Sequence, residues 1–340
     1  MVEGGLILGA AFLITLVLTA WTRRVALRQG ILDLPNERSS HSRPTPRGGG
    51  LAIVIGSSTA LAGFALLHWI DPWLAAALLG GGLMIATVGF LDDRHSLPAG
   101  IRMFAHVTAA AWAMYALGGL PPIRIGSQFV SLGIWGDLAG TVAIVWILNL
   151  FNFMDGIDGI AASEAAFVTG AGGVLAFVFG QDRAVGYGAV AIAVTALAFL
   201  YWNWPPAKIF MGDIGSGYLG YIIAVFGLAA GRTSPVALLV WLTLGGVFFA
   251  DATTTLFARL LRGERIHLPH RDHAYQHLAE RWRDHRPVTL LVIAVNLLGL
   301  LPLAVLAFLH QELAATIAAL TLLCLTAIIL WMRVTIFASS

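Results

Sequence analysis

Eleven stretches of this chain, near residues 4–22, 50–70, 72–91, 102–118, 136–153, 160–180, 185–203, 217–231, 234–261, 288–309 and 312–332, are apolar over most of their length. Each approaches the roughly 20 residues that an α-helix needs to cross a bilayer core. Between them there is little with which to build a water-facing surface. Only 11% of the residues are charged and 58% are apolar, with a mean hydropathy of +0.83, whereas a soluble domain carries roughly 25% charge. The expectation is an all-α, polytopic integral membrane protein of about 11 transmembrane helices, or 10 if one run is re-entrant. No linker is long enough to divide residues 1–340, so a single membrane-embedded domain is expected. Arg23 and Arg24 follow the first apolar run instead of preceding it, which speaks against a cleaved signal peptide. Cys324 is the only cysteine, which excludes a disulfide framework or a cysteine metal site within one chain.

The basic residues set a direction. Of 20 Lys and Arg, all but Arg124, Arg183 and Arg232 fall at one side of the alternating spans. The positive-inside rule makes that side cytoplasmic, which puts the N-terminus outside the cytoplasm and the C-terminus inside it. The cytoplasmic loops are then about 23–49, 92–101, 154–159, 204–216 and 262–287. A net charge of +2 gives no argument for nucleic acid.

The same alternation gathers the carboxylates. Asp92, Asp93, Asp155, Asp158 and Asp213 occupy three different cytoplasmic loops, accompanied by Asn149, Asn152 and Asn203. Oxygen donors converging on one membrane face, without cysteine, suit a hard cation such as Mg²⁺, with Mn²⁺ as the alternative. A cation held by carboxylates and substrate phosphates is a usual arrangement for phosphoryl transfer. A lone loop Asp is as readily a helix cap, but two adjacent carboxylates exceed what one cap requires. The loop from Asp33 to Gly50 is basic and ends in three glycines, so Arg43, Arg47 and the glycine amides are candidates for holding phosphate, against a simple membrane-surface anchor. Gly215, Gly217 and Gly220 match G-x-G-x-x-G only formally, since no strand precedes them; close helix packing is the stronger explanation. The late loop holds His267, His270, His273 and His277, which suit phosphate or sugar better than zinc. Glu164 is a candidate for the site lining. His106 and Asn296 are expected to serve helix packing; Asp251 sits toward the cytoplasmic end of its span, where an ion pair with Arg259 is one option.

At these loops the chain resembles the polyprenyl-phosphate N-acetylhexosamine-1-phosphate transferases. The resemblance runs from about Asp33 to His277. It rests on the Asp92–Asp93 pair, on N-x-x-N-x-x-D-G-x-D-G over 149–159, on Asn203 followed by Pro-Ala, and on F-M-G-D-x-G-S over 210–216, in family order. It implies transfer of an N-acetylhexosamine 1-phosphate from a UDP-sugar to undecaprenyl phosphate at the cytoplasmic face of a bacterial inner membrane, leaving UMP, with the N-terminus then periplasmic. It further implies Asp213 and Asn152 as Mg²⁺ ligands, Asp92 as the base or phosphate-positioning carboxylate and Asp93 beside the metal. Asp158 and Phe210 would hold the uracil, Asp155 and Asn203 the rest of the nucleotide, and His270, His273 and His277 the sugar and diphosphate. Two departures stand out. Arg94 follows the paired Asp where many relatives have a lysine soon after, so the cationic role passes to Arg94, Arg102 or Arg43. D-H-A-Y-Q-H over 272–277 replaces the three consecutive histidines of the peptidoglycan branch, which turns the expected substrate from MurNAc-pentapeptide toward FucNAc, QuiNAc or GlcNAc and an O-antigen pathway. Oligomeric state is open, with a homodimer among the options. The rival from another class is a secondary transporter, whose ionisable residues lie nearer mid-membrane. A CDP-alcohol phosphotransferase is excluded, because no further aspartate follows Asp158 on the same helix.

Overall fold

The computed structural model describes residues 2–35, 43–264 and 270–337, excluding the side chains of 336 and 337. The parts of the two basic loops at 36–42 and 265–269, including His267, lie outside the described residues. Each apolar run is helical. In chain order the helices are α1 (Val2–Gln29), α2 (Gly50–Leu66), α3 (Pro72–His95), α4 (Ala99–Leu117), α5 (Gly133–Met154), α6 (Ile160–Gly180), α7 (Arg183–Asn203), α8 (Asp213–Thr233), α9 (Ala237–Leu244), α10 (Gly246–Leu261), α11 (Ala274–Trp282), α12 (His285–Leu309) and α13 (Gln311–Thr335). Among the described residues eight are long and apolar enough to cross a membrane. A ninth crossing is formed if α9 and α10, bent by 72° at their junction, act as one. The other two runs are α2, of 17 residues, and α4, which carries Arg102 and His106. Two short antiparallel pairs complete the structure: β1 (Leu32–Asp33) with β2 (Thr45–Pro46), and β3 (Ile123–Ile125) with β4 (Gln128–Val130).

The run read as short, 217–231, is the axis of the molecule. It belongs to α8, in which every residue from Ile214 to Gly231 is buried. Helices α3 and α5 pack along it, while α6 with α7 and α1 with α2 form flanking pairs. Lipid is as apolar as leucine, so close packing and internal hydrogen bonds must hold such a bundle together. The glycines of the 215–220 motif supply the close packing. A Cβ on Gly50 would lie 2.4 Å from the Cα of Gly215, so α2 and α8 cross backbone to backbone. The hydroxyl of Tyr221 donates to the Ala77 carbonyl at 2.9 Å, and that of Tyr218 meets Ser57 at 2.8 Å, tying α8 to α3 and α2.

Contacts divide the loops between two ends, as the charge pattern requires. At one end the 46–50, 92–97, 153–159, 203–213 and 270–286 segments bond to one another. At the other, Asp182 binds Thr233, Asp137 accepts from the Leu120 amide, and Arg124 meets Gln311. The first end carries the candidate site.

Candidate functional site

The paired aspartates divide their work. Both oxygens of Asp93, at the end of α3, accept backbone amides from the first turn of α8: Asp213 N at 2.9 Å and Ile214 N at 3.3 Å. Asp93 therefore caps α8 from a neighbouring helix and places negative charge at its positive end. Two glycines make this possible. Gly212 adopts φ +77°, and a Cβ there would fall 2.5 Å from Oδ2 of Asp93. A Cβ on Gly89 would meet the Asp213 carbonyl oxygen at 2.5 Å, so α3 reaches α8 only because residue 89 has no side chain. Asp92 points elsewhere. Its Oδ1 accepts from Leu97 N at 2.6 Å and its Oδ2 pairs with Arg102 at 2.8 Å, and it lines the same cavity as Asp213.

Arg47 stands between the carboxylates, with Nη2 at 2.8 Å from Asp93 and 3.1 Å from Asp213. Burial works against its cation, but Asp213, Asp93, Asp33 and Asp155 together outweigh burial and raise its pKa further. The loop that delivers it is fixed by its backbone. Phe210 N donates to Pro46 O, while Gly49 N and Gly50 N donate to the carbonyls of Phe210 and Met211. This corrects the expectation that the Gly49 and Gly50 amides hold phosphate, because both are spent on the chain. Arg43 is exposed and Arg94 stacks on the Phe90 ring at 4.4 Å, so among the candidate cations it is Arg47 and Arg102 that reach the aspartates.

Asn152 approaches from α5, its Oδ1 accepting the Ser216 hydroxyl at 2.7 Å. Ser216 follows Asp213 by three positions, which puts both on one face of α8. Asp92, Asn152 and Asp213 line one cavity of about 440 Å³. The rest of its lining is largely apolar, built from one face of α4 (Met103, Val107) and one face of α5 (Leu138, Val142, Val145), with Leu256 of α10. Met103, Val107, Leu138 and Val142 are all exposed on the outer surface. The cavity is thus a groove open to the membrane side of the bundle, with its polar groups at one end. His106 and Asn149, 3.4 Å apart, also line it, which corrects the assignment of His106 to helix packing.

Behind this end lies Asp155, which caps the C-terminus of α5. Burial pushes its pKa up to about 7, reinforced by Asp213 and Asp93 and opposed by Arg47. Asp158 and Asn203 act as struts. Asp158 accepts from Ala207 N at 2.9 Å and lies 3.3 Å from His285 Nδ1. Asn203, buried, accepts from Gly159 N at 2.9 Å and donates to Ile209 O at 3.0 Å. They fasten the 155–159 turn to the 204–209 loop, next to the half-buried Phe210.

The late loop is docked by a residue assigned to a different role. Asp251 of α10 does not take up the optional ion pair with Arg259. It caps α11, accepting Ala274 N at 2.9 Å and Tyr275 N at 3.2 Å, and also binds Thr255. Arg259 pairs instead with Glu264 and Asp272. His273 is buried beside Asp251 and stacks between His270 and Tyr275, with ring centroids 5.0 and 5.7 Å away. His273, expected to meet the sugar and diphosphate, is thus enclosed in the loop's packing, with neither ring nitrogen hydrogen-bonded among the described residues. His270 lies near the Phe153 ring, and burial pushes its pKa down to about 4. His277 is half-buried on α11. The Tyr275 hydroxyl donates to Phe153 O at 2.9 Å, so α11 covers the turn that follows Asn152. Glu164 does not enter the site; it receives a 2.6 Å hydrogen bond from Asn296 within the bundle. Among the described residues no group of three or more His, Cys, Asp or Glu stands ready to hold a metal, whether at the histidines or at the aspartates, where Arg47 fills the space.

A helical membrane protein with amides and carboxylates at one end of a lipid-facing apolar groove is, as a class, a membrane enzyme for substrates part polar and part lipid. The model of glycosyl transferase family 4 matches residues 75–231. The chain belongs to that family, among its polyprenyl-phosphate N-acetylhexosamine 1-phosphate transferases, and is a transferase and not a transporter. It is 30% identical over 292 residues to a probable undecaprenyl-phosphate N-acetylglucosaminyl 1-phosphate transferase of Bacillus subtilis, covering 84% of this chain and 80% of that protein. It is 33% identical over 320 residues to the decaprenyl-phosphate N-acetylglucosaminephosphotransferase of Mycolicibacterium smegmatis, covering 83% and 77%. With a phospho-N-acetylmuramoyl-pentapeptide-transferase of Chloroflexus aurantiacus it shares 31% over 286 residues, 75% and 74% of the two chains.

Proposed function

We propose that the protein transfers an N-acetylhexosamine 1-phosphate from a UDP-sugar to undecaprenyl phosphate, releasing UMP, as an early step of O-antigen or another envelope polysaccharide. The observation that carries this is the groove itself, in which Asp92, Asn152 and Asp213 end an otherwise apolar trough open to the membrane. A polyprenyl chain suits the trough and its phosphate suits the polar end, while the nucleotide suits the side of Asp155 and Phe210. Arg102 holds the acceptor phosphate, and Asp92, oriented by Leu97 N and Arg102, takes the proton from that phosphate when it is protonated. An acceptor oxygen then bonds to the sugar-bearing phosphorus, and the bond from that phosphorus to UMP breaks, UMP leaving with the electron pair. Arg47, now shared between Asp93 and Asp213, turns to the donor diphosphate and neutralises charge as it spreads.

The donor set fits a hard cation once Arg47 has turned to the substrate: Asp213 and Asn152 offer oxygen, line one cavity with Asp92, and are linked through Ser216, which lies on the same face of α8 as Asp213. Mg²⁺ or Mn²⁺ held there would neutralise the diphosphate. Residues 23–49, 92–101, 154–159, 204–216 and 262–287 face the cytoplasm in this proposal, with the N-terminus periplasmic. In a Cys324→Ser background, a cysteine at exposed Ser127 should react with an impermeant maleimide on intact cells, and one at Glu280 only after lysis. The opposite pattern would reverse the topology. GlcNAc is the sugar named for the Bacillus and Mycolicibacterium relatives, and FucNAc and QuiNAc remain candidates on the form of the late loop. The test is UMP release from a panel of UDP-sugars, expected only with undecaprenyl phosphate and a divalent cation together. Asp213→Asn should abolish it in a protein with unchanged melting temperature. Release without the lipid, or undiminished in the variant, refutes the proposal.

A further inference from the structure

A second cavity, of about 540 Å³, opens at the end of the bundle opposite the site. Its walls carry charges of both signs and two aromatic rings: Asp71, Trp73, Tyr115, Asp182 and Arg232. Two of the charges, both exposed, have no protein counter-charge among the described residues. Arg232 has no ion pair among the described residues, although its Nη1 would lie 3.1 Å from a Cβ on Gly118. Asp71 caps α3 through one oxygen only, Oδ1 accepting both Trp73 N and Leu74 N at 3.0 Å. Its Oδ2 has no protein partner among the described residues. Asp182, by contrast, is satisfied by Val185 N at 3.0 Å and the Thr233 hydroxyl at 2.7 Å. A free guanidinium and a free carboxylate oxygen thus share one cavity without meeting. Trp73 and Tyr115 are exposed and 6.2 Å apart, with Trp112 beyond Tyr115 at 6.1 Å. Such a cluster marks the depth of the lipid headgroups.

We propose that this cavity binds the headgroup of a zwitterionic phospholipid carrying a primary amine, its phosphate on Arg232 and its ammonium on Asp71. A purely anionic headgroup would meet Asp71 and Asp182, and a purely cationic one would meet Arg232. A headgroup with both charges satisfies both free groups at once. A primary ammonium donates hydrogen bonds to the Asp71 carboxylate, which a quaternary ammonium cannot do. The rings of Trp73 and Tyr115 add a face for the ammonium. The site is remote from the transfer centre and stands whether or not the proposed sugar transfer is correct.

The full chain, delipidated in mild detergent, is placed in nanodiscs of matched acyl chains with phosphoethanolamine, phosphocholine or phosphoglycerol headgroups. Retained lipid is counted by native mass spectrometry and stability by melting temperature. The ethanolamine lipid should be retained over the glycerol lipid by about tenfold, the ratio given by one charge-assisted hydrogen bond, and should raise the melting temperature. Asp71→Asn keeps the capping oxygen but should lose the preference, as should Arg232→Gln, whereas Arg232→Lys should keep it. Equal retention of the glycerol lipid, or a preference that survives Asp71→Asn and Arg232→Gln, overturns the proposal. So does equal stabilisation by soluble phosphoethanolamine, which would make the ligand a free zwitterion and not a lipid.

Discussion

Gly89→Ala is the sharpest perturbation of the site, because it adds one methyl group and removes nothing. The new Cβ would start 2.5 Å from the Asp213 carbonyl oxygen and 2.6 Å from Ile214 N. Both are backbone atoms, so no side chain can swing aside. Restoring an ordinary contact of 3.4 Å requires α3 and α8 to part by about 0.9 Å. Along that line the 2.9 Å bond from Asp213 N to Asp93 lengthens to about 3.8 Å, which is no longer a hydrogen bond. Overpacking of this kind costs about 1–3 kcal/mol, partly offset by the roughly 1 kcal/mol that alanine gains over glycine in a helix. The melting temperature should therefore fall only a little. Turnover should fall much further, by about 100-fold, because displacements near 1 Å in a positioned site cost that much. The assay is UMP release under saturating substrates, with Gly9→Ala as control, since nothing lies within 4 Å of a Cβ there. If Gly89→Ala turns over at the wild-type rate, the α3–α8 contact does not set the geometry of the site.

Two further outcomes follow from the late loop. Asp251→Ala removes the cap of α11, so amide exchange at Ala274 and Tyr275 should quicken and KM for the UDP-sugar should rise roughly fivefold, the equivalent of about 1 kcal/mol for a lost cap. Unchanged exchange would show that α11 is held by other contacts. Burial holds the pKa of His270 down at about 4, below its ordinary 6.5. The unfolded chain therefore takes up that proton first, and stability should be lost as pH falls from about 6.5 toward 4, with no contribution above that window. His270→Gln should flatten the fall in melting temperature over that range, and a slope identical to wild type would place the loss on another group.

Much of this was legible in the chain. Apolar runs located every long helix, and alternation of the spans placed Asp92, Asp155 and Asp213 at one end before any contact was known. What a linear pattern does not hold is which neighbour each polar atom meets. Asp92 and Asp93 are adjacent, yet one faces the groove and the other caps α8, because successive side chains on a helix point about 100° apart. An ion pair between Asp251 and Arg259 was open from the chain alone, but the backbone amides of α11 took Asp251 and Asp272 took Arg259. Glu164 found Asn296 across 132 positions of sequence, a pairing set by how α6 meets α12. The Gly49 and Gly50 amides were taken by the carbonyls of Phe210 and Met211, far along the chain. In each case a tertiary partner overrode a sound local expectation.

The sealed position of α8 bears on how such enzymes diversify. With every residue from Ile214 to Gly231 enclosed by other helices, almost any exchange there disturbs several neighbours together, and the Asp213 carboxylate inherits that rigidity. The α11 segment rests on a few replaceable bonds at the rim. New donor sugars should therefore be accommodated by remodelling that rim, leaving the axis unaltered.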